Sequence, residues 1–320
     1  MAAEMSESSS SIPFDPSKDI PSLSGKVILI TGANAGLGKA SLLSLAAHKP
    51  STIYLGSRSL SKGSYTASEI LKTIPGANIR VLELDLASFD SVKKAAAKVI
   101  AEAGRLDILM LNAGIMGVPA GVTEEGYEIQ FGTNHMGHVL LTKLLLPVLE
   151  KTASEANADV RIVSMTSHTH RYAPDGGVMF NILKSAAEPL PGYARYGQSK
   201  LANILWVREM AKRYPMFVVA AVHPGVVDTG LLVKATDLGL PAGMSGAVNR
   251  SSVSVEEGVK NQLWAAVAKG VVSGEYYEPV GIGGKVSDYG KDDELAKKLW
   301  EWTESELNGY LAESGSDLKL

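Results

Sequence analysis

A tyrosine and a lysine four residues apart, Tyr196 and Lys200, could act together as an acid–base pair. They begin a helical pattern, and four residues are about one helical turn, so both side chains share a face. A free phenol titrates near pH 10, and a nearby ammonium group stabilises the phenolate and lowers that pKa. We expect Tyr196 to exchange a proton with a substrate oxygen. Such pairs are also common on helices that do no chemistry.

A glycine-rich turn joins a strand predicted over 26–31 to a predicted helix. Gly32 permits a tight turn, Gly36 lets the backbone approach a pyrophosphate, and Gly38 allows close helix–strand packing. The positive end of the helix dipole would stabilise the phosphate charge. The turn predicts a dinucleotide site, and the alternative is a glycine turn without a ligand. The predicted cofactor contacts here are Thr31, Gly32, Asn34, Ala35, Gly36, Leu37 and Gly38.

The end of the second predicted strand indicates which dinucleotide binds. Proteins that prefer NAD place a carboxylate there, where it bonds the ribose 2′-hydroxyl. This strand instead runs into Ser57 and Arg58, with no carboxylate. Arg58 could pair with a 2′-phosphate, helped by the Ser57 hydroxyl. The pattern favours NADP(H), and the alternative is that Arg58 is a solvated loop residue and either cofactor is accepted.

The scaffold for these residues follows from the alternation of short apolar runs with longer helical patterns. Several runs are continuously apolar, as in parallel strands covered on both faces. The pattern predicts an α/β fold with a single Rossmann-type, doubly wound parallel sheet of about seven strands and helices on both faces. Strands are predicted over 26–31, 52–56, 78–84, 107–112, 159–164, 217–223 and 275–278, and helices over 37–48, 62–73, 88–103, 124–150, 196–213 and 257–269.

One domain is predicted over residues 25–320, after a flexible N-terminal segment over residues 1–24. That segment has a serine run, three prolines and few large apolar side chains, so burial cannot offset its ordering entropy. Two stretches of the domain, 168–194 and 231–255, are predicted to be substrate loops. For 231–255 the alternative is an ordinary surface insertion.

Composition excludes several classes of protein. The 320 residues are 45% hydrophobic and 20% charged, which is typical of globular proteins. A net charge of −3 gives no electrostatic footprint for nucleic acid or an anionic membrane. The absence of cysteine excludes disulfides and thiolate chemistry. The closely spaced histidines, His135 with His138 and His168 with His170, lack a third ligand, so no metal is expected. No membrane anchor or signal peptide is predicted, and we expect a cytoplasmic location.

The TGxxxGxG spacing of the turn resembles the cofactor signature of the classical short-chain dehydrogenase/reductases. Beside the turn, six motifs of that family occur in the family's order up to residue 229. Further runs, at 133–147, 196–203, 276–281 and 299–303, look like the retinol-dehydrogenase-like branch, so the similarity covers about residues 25–310. The motifs after the turn are Asp85-Leu86, Asn112-Ala113-Gly114, Asn134, the run ending at Ser167, Tyr196 with Lys200, and His223-Pro224-Gly225-Val226-Val227-Asp228-Thr229.

The resemblance implies a role for each of these residues. Ser167 would polarise the substrate carbonyl, and Asn134 would help to hold a water beside Lys200. Ser164 and Thr166 lie in the same run as Ser167, which leaves the choice of hydroxyl open, and the alternative for Asn134 is a polar contact inside a helix. The implied catalytic residues are Asn134, Ser167, Tyr196 and Lys200, and the further cofactor contacts are Asp85, Leu86, Asn112, Ala113, Gly114, Tyr196, Lys200, Pro224, Gly225, Val227 and Thr229.

The implied function is an NADP(H)-dependent oxidoreductase that interconverts a carbonyl and an alcohol, with reduction favoured in cells. Its substrate would be a bulky, apolar small molecule, if Tyr172, Met179, Phe180, Tyr193 and Leu231 line the pocket. The alternatives are reduction of a C=C or C=N bond or cofactor-assisted isomerisation in the same pocket, and a non-catalytic NADP(H)-sensing protein. Many relatives dimerise through the helices predicted at 124–150 and 196–213, so a homodimer is expected.

Overall fold

A computed structural model describes residues 11–227, 235–239 and 252–313. Its centre is one sheet of seven parallel strands in the order β3-β2-β1-β4-β5-β6-β7. This confirms the predicted fold class. The strands are β1 (Val27–Thr31), β2 (Thr52–Ser57), β3 (Ile79–Glu83), β4 (Ile108–Leu111), β5 (Val160–Met165), β6 (Phe217–Val222) and β7 (Tyr276–Tyr277).

Helices cover both faces of the sheet. They are α1 (Pro16–Asp19), α2 (Gly36–Ala46), α3 (Leu60–Thr73), α4 (Phe89–Glu102), α5 (Ile129–Phe131), α6 (Gly137–Ala153), α7 (Gly192–Arg213), α8 (Val255–Val267), α9 (Asp288–Lys291) and α10 (Asp293–Glu313). A π-helix, Gly132–Met136, joins α5 to α6. The helix predicted over 124–150 is therefore three consecutive elements.

Two apolar layers form the core, one on each face of the sheet. Ile28 and Ile30 of β1 pack with α2, α3 and α8, whereas Val27 and Leu29 pack with α4, α6, α7 and α10. Successive side chains of a strand point to opposite faces, so every residue of β1 is buried. This explains why the apolar run of β1 is continuous.

The chain is already packed before β1. Phe14, Ile20 and Leu23 are buried in the layer that contains α2 and α8, and the Ile12 N–H donates to Val280 O at 2.9 Å. The prediction of a flexible segment over 1–24 is therefore wrong for residues 12–23. Residues 1–10 lie outside the described residues.

The direction of the connections reverses between β1 and β4, which are neighbours in the sheet. In a doubly wound sheet, this reversal opens a crevice at the carboxyl ends of the strands, where ligands bind. Thr31 ends β1 at this crevice, and Asn112 follows β4. Among the described residues, no helix has the length and the apolar character needed to cross a membrane.

Candidate active site

Three of the predicted catalytic side chains meet beside the carboxyl end of β5. Ser167 lies two residues beyond that strand, and Tyr196 and Lys200 lie on the first turns of α7. The Ser167 side chain lies close enough to the Tyr196 phenol to lower its pKa, and Lys200 Nζ lies 5.5 Å from the centre of the Tyr196 ring. All three residues are buried. The structure therefore brings together a hydroxyl, a phenol and an ammonium group.

The neighbouring hydroxyls have other partners, which decides between the candidates in the run that ends at Ser167. Thr166 donates to Lys200 O at 2.8 Å and so fixes α7 to the end of β5. Ser164 is buried within β5 itself. Ser167 Oγ donates to Thr169 Oγ1 at 3.0 Å, and of these three hydroxyls it alone lowers the pKa of the Tyr196 phenol.

Burial shifts both titrating groups of this site. It raises the pKa of Tyr196 to about 12, and the hydrogen bond from Ser167 offsets only part of that effect. It lowers the pKa of Lys200 to about 8, because the buried ammonium loses its hydration. The sequence argument expected Lys200 to lower the Tyr196 pKa, but the effect of burial is larger. Tyr196 is therefore protonated at neutral pH.

Asn134 lies in the π-helix, a rare conformation that often occurs at functional sites. Its amide nitrogen donates to Ile115 O at 2.9 Å and to Ser199 Oγ at 3.0 Å, and its oxygen accepts from the Ile115 N–H at 2.8 Å. A Cβ atom on Gly114 would lie 3.2 Å from Asn134 Oδ1 and 3.4 Å from Lys200 Nζ. Asn134 and Lys200 therefore approach each other across a position that has no side chain.

The glycine turn has the predicted shape. Gly32 and Gly36 have φ angles of +67° and +50°, in the left-handed region that favours glycine. A Cβ atom on Gly38 would overlap Gly32 O and lie 2.6 Å from Asn112 Nδ2. Ala35, before α2, provides no capping side chain, and the first turn of α2 has no acidic residue. The first N–H groups of α2 are therefore suited to an anion.

Hydrogen bonds of Thr31 and Asn112 stabilise this turn. The Thr31 hydroxyl accepts from the Asn112 and Ala113 N–H groups, both at 2.9 Å, and Asn112 Nδ2 donates to Thr31 O at 2.8 Å. These bonds tie β1 to β4 at the crevice. Thr31 and Asn112 thus hold the shape of the site through their side chains.

The end of β2 carries the other predicted nucleotide contacts. Ser57 Oγ donates to Ser59 O at 3.0 Å, whereas Arg58 is exposed and forms no ion pair with any residue that the structure describes. Asp85 caps its own turn by accepting from the Ala87 N–H at 3.0 Å, and Leu86 is buried. Arg58 therefore has a free guanidinium group.

After β6, the chain passes through Pro224 and Gly225 to a short bridge at Val227. Gly225 has a φ of +84°, and Val227 pairs with Val253 in a parallel bridge. Pro224 lies between them and the end of β6. Thr229 and Leu231 lie outside the described residues, as does most of the predicted loop 231–255.

Comparisons with known proteins agree with this geometry. The sequence model of the short chain dehydrogenase family matches residues 26–237. This chain belongs to that family. It is similar to human retinol dehydrogenase 13, with 35% identity over 89% of this chain and 85% of that protein, and to human retinol dehydrogenase 12, with 36% identity over 87% and 85%. These relatives place it in the retinol-dehydrogenase-like branch.

A solved structure of a Mycobacterium paratuberculosis protein has the same fold. The TM-score is 0.70 at 28% identity, covering 91% of this chain and 97% of that one. As a short-chain dehydrogenase, the protein is an oxidoreductase.

Sequence reasoning missed residues that brace the site of this dehydrogenase. Ser199 donates to Tyr196 O at 2.7 Å and accepts from Asn134, so it links the π-helix to α7. Its place between Tyr196 and Lys200 was a usable signal. Arg195 is almost fully buried and bonds Glu128 at 3.2 Å and Asp237 at 2.9 Å. These ion pairs join three chain segments next to Tyr196.

The described residues that were predicted to line the substrate pocket contact different parts of the molecule. The Tyr172 and Tyr193 rings meet edge to face, with 6.4 Å between their centres. Phe180 packs instead against Trp302 of α10, at 6.0 Å between ring centres. The Met179 N–H donates to Gln198 Oε1 on α7 at 2.8 Å.

Proposed function

We propose that the protein interconverts a carbonyl and an alcohol, reducing a ketone or aldehyde in cells, with NADP(H) as the cofactor. The observation that carries this proposal is that Ser167 lies close enough to the buried phenol of Tyr196 to lower its pKa, beside the ammonium group of Lys200. A hydroxyl, a proton donor and a cation at one point suit a carbonyl oxygen that gains negative charge.

The nicotinamide, when bound, supplies the hydride that goes to the carbonyl carbon. The Ser167 hydroxyl holds the carbonyl oxygen, and Tyr196 gives that oxygen its proton. With a pKa of about 12, Tyr196 carries the proton at neutral pH, as a general acid must. Lys200, with a pKa of about 8, is mostly charged at neutral pH and stabilises the phenolate that remains. Asn134, across Gly114 from Lys200, would hold the water that returns the proton.

The phosphates of the cofactor would lie at the start of α2, where the N–H groups have no side-chain cap. The nicotinamide would lie at the crevice between β1 and β4, with Lys200 on the ribose hydroxyls. Lys200 uses one N–H on Met165 O at 3.0 Å, which leaves two for such bonds. Asp85 and Leu86 would flank the adenine. The remaining proposed contacts are Gly114, Pro224, Gly225, Val227 and Thr229.

The preference for NADP(H) rests on Arg58. Its exposed guanidinium group follows β2 and has no carboxylate partner among the described residues, so it is free to pair with a 2′-phosphate. We expect Arg58→Ala to weaken NADPH binding about tenfold or more and to leave NADH binding unchanged. Lys94→Ala, which removes an exposed cation from α4, is the control. Fluorescence transfer to the nicotinamide measures both affinities, and equal loss for NADPH and NADH would contradict the assignment.

The chemistry is tested by removing one hydroxyl. Tyr196→Phe keeps the ring and loses the proton donor, so turnover of ketones and aldehydes should be abolished while NADPH affinity stays within a few-fold. Tyr214→Phe, at the other end of α7, is the matched control. Unchanged turnover of the Tyr196 variant would refute the mechanism.

The substrate is proposed to be a bulky, apolar small molecule, since the Tyr172 and Tyr193 rings lie together near the first turn of α7. The names of the two human relatives indicate retinol as a substrate of those proteins. A homodimer and a cytoplasmic location stay predictions. Light scattering and imaging of the tagged chain test them.

A further inference from the structure

Two buried histidines each contact the backbone of a proposed catalytic residue. His138 Nδ1 lies 3.0 Å from Asn134 O, and His170 Nδ1 lies 2.8 Å from Ser167 O. Both imidazoles are buried. His138 is the second residue of α6, which follows the π-helix, and His170 lies in the short 3-10 helix His168–Tyr172 after Ser167.

These contacts determine which nitrogen carries the proton. A carbonyl oxygen can only accept, so Nδ1 must be the donor in each case. In a neutral imidazole, Nε2 is then bare and must accept. His170 Nε2 accepts from the Ser287 N–H at 3.0 Å, and His138 Nε2 lies 2.9 Å from the Thr31 hydroxyl. The Thr31 oxygen already accepts two backbone N–H groups, so its own proton has two acceptors in reach, Met110 O at 3.4 Å and His138 Nε2 at 2.9 Å, and the shorter contact favours His138.

Each histidine therefore links two chain segments, accepting a hydrogen bond at Nε2 from one and donating a hydrogen bond from Nδ1 to the other. One bridge runs from Thr31 in the glycine turn through His138 to Asn134. The other runs from Ser287, which caps α9, through His170 to Ser167. Burial lowers the pKa of His138 to about 3 and of His170 to about 4, so both imidazoles stay neutral at neutral pH. Protonation would remove the acceptor of each bridge.

We propose that His138 and His170 are positioning residues that hold the backbone carbonyls of Asn134 and Ser167 through the neutral Nδ1–H tautomer. They couple the catalytic groups to the glycine turn and to the segment after β7. This inference rests on the proposed function, because what is positioned is the proposed proton relay. Neither histidine touches substrate or cofactor in it.

The tautomer is measured without any activity assay. Proton–nitrogen spectra of the full chain with ¹⁵N-labelled histidine separate a protonated Nδ1 from a bare one, and single variants assign the signals. We expect His138 and His170 to show Nδ1–H and bare Nε2, with no titration down to about pH 5. An Nε2–H tautomer for either residue would overturn its bridge. A wild-type protein without turnover would refute the proposed function and leave this measurement to decide the bridges.

Two substitutions of His170 test whether the bond to the carbonyl matters. The Asn amide reaches roughly where Nδ1 lies, and the Gln amide reaches roughly where Nε2 lies. We expect His170→Asn to keep kcat within a few-fold, and His170→Gln to lower kcat by roughly tenfold to a hundredfold, with NADPH affinity little changed in both. Equal kcat for the two variants, at equal thermal stability, would overturn the proposal for His170.

His138 is tested in the same way, with His135 as the control for both. His135 is buried on the preceding turn, but its nitrogens face the side chains of Asn203 at 3.2 Å and Thr303 at 3.4 Å. His135→Asn and His135→Gln should lower thermal stability and change kcat by less than about threefold. If they lower kcat as much as His138→Gln and His170→Gln do, the effect is general loosening and the proposal fails.

Discussion

Acidification should destabilise this protein by several kcal/mol between about pH 7 and pH 5.5. Four imidazoles, those of His135, His138, His170 and His223, are buried, and burial lowers their pKa values from 6.5 to about 4, 3, 4 and 4. In the unfolded chain each titrates near pH 6.5. Below that pH the unfolded state binds more protons than the folded state, so stability is present above about pH 6.5 and is lost as the pH falls.

The size of this loss follows from the two pKa values. Between about pH 7 and pH 5.5, a histidine with pKa values of about 6.5 unfolded and 4 folded loses about 1.2 kcal/mol of stabilisation. Four such residues would lose about 5 kcal/mol together. Burial also raises the pKa values of Glu125 and Glu128, an effect that opposes this loss as the pH falls. We expect a net loss of about 3–5 kcal/mol, a large share of a typical folding free energy.

Urea unfolding, followed by tryptophan fluorescence at steps of pH, measures the effect. The free energy of unfolding should fall with a slope equivalent to about two to four protons between about pH 6 and pH 5. His135→Asn should reduce that slope by about one proton. A free energy of unfolding that stays constant over this range would refute the reasoning, as would imidazoles that titrate near pH 6.5 in the folded protein.

Three further predictions concern single groups. The rate of carbonyl reduction should stay constant from about pH 6 to 7.5 and fall above about pH 8. Above that pH Lys200 loses its charge while Tyr196 keeps its proton. A rate that falls only above about pH 10 would contradict this prediction. Gly38→Ala should weaken cofactor binding at least about tenfold, since the new Cβ would overlap Gly32 O. Gly104→Ala, whose Cβ would meet open space, should leave cofactor binding unchanged. Fluorescence titration with the cofactor measures both affinities. Asp107→Asn should lower the free energy of unfolding by about 3 kcal/mol. The reason is that the buried carboxylate accepts from the Val27 N–H and pairs with Lys26 and Arg105. A loss below about 1 kcal/mol in urea unfolding would refute the importance of this ion cluster.

The sheet was predictable because most of its strands are buried on both faces. The runs in β1, β4 and β6 are apolar or small throughout, a pattern that no amphipathic helix shares. The last helix, α10, carried a signal that was not used, since Leu295, Leu299 and Leu307 recur at helical spacing and are buried. The packing of residues 12–23 rests on a few scattered apolar side chains, which give no periodic pattern.

The candidate site was predictable in its residue types and order but not in its energetics. No local sequence pattern predicts the π-helix at Asn134, because the conformation of this π-helix depends on contacts with Ile115 and Ser199. Burial, which sets the pKa of Tyr196, is a property of the folded chain alone. The choice of Ser167 over Thr166 likewise required knowing which hydroxyl the helix uses.

The position of α10 in the chain affects how the protein is made. This helix packs on α7, on α5, where Trp302 contacts Phe131, and on α6, where Lys143 pairs with Glu304 at 2.7 Å. It is also synthesised after every other described element. During translation, the apolar face beneath it stays exposed to solvent until the ribosome has released α10. A nascent chain can therefore hold all of the proposed catalytic residues and still be a client for chaperones.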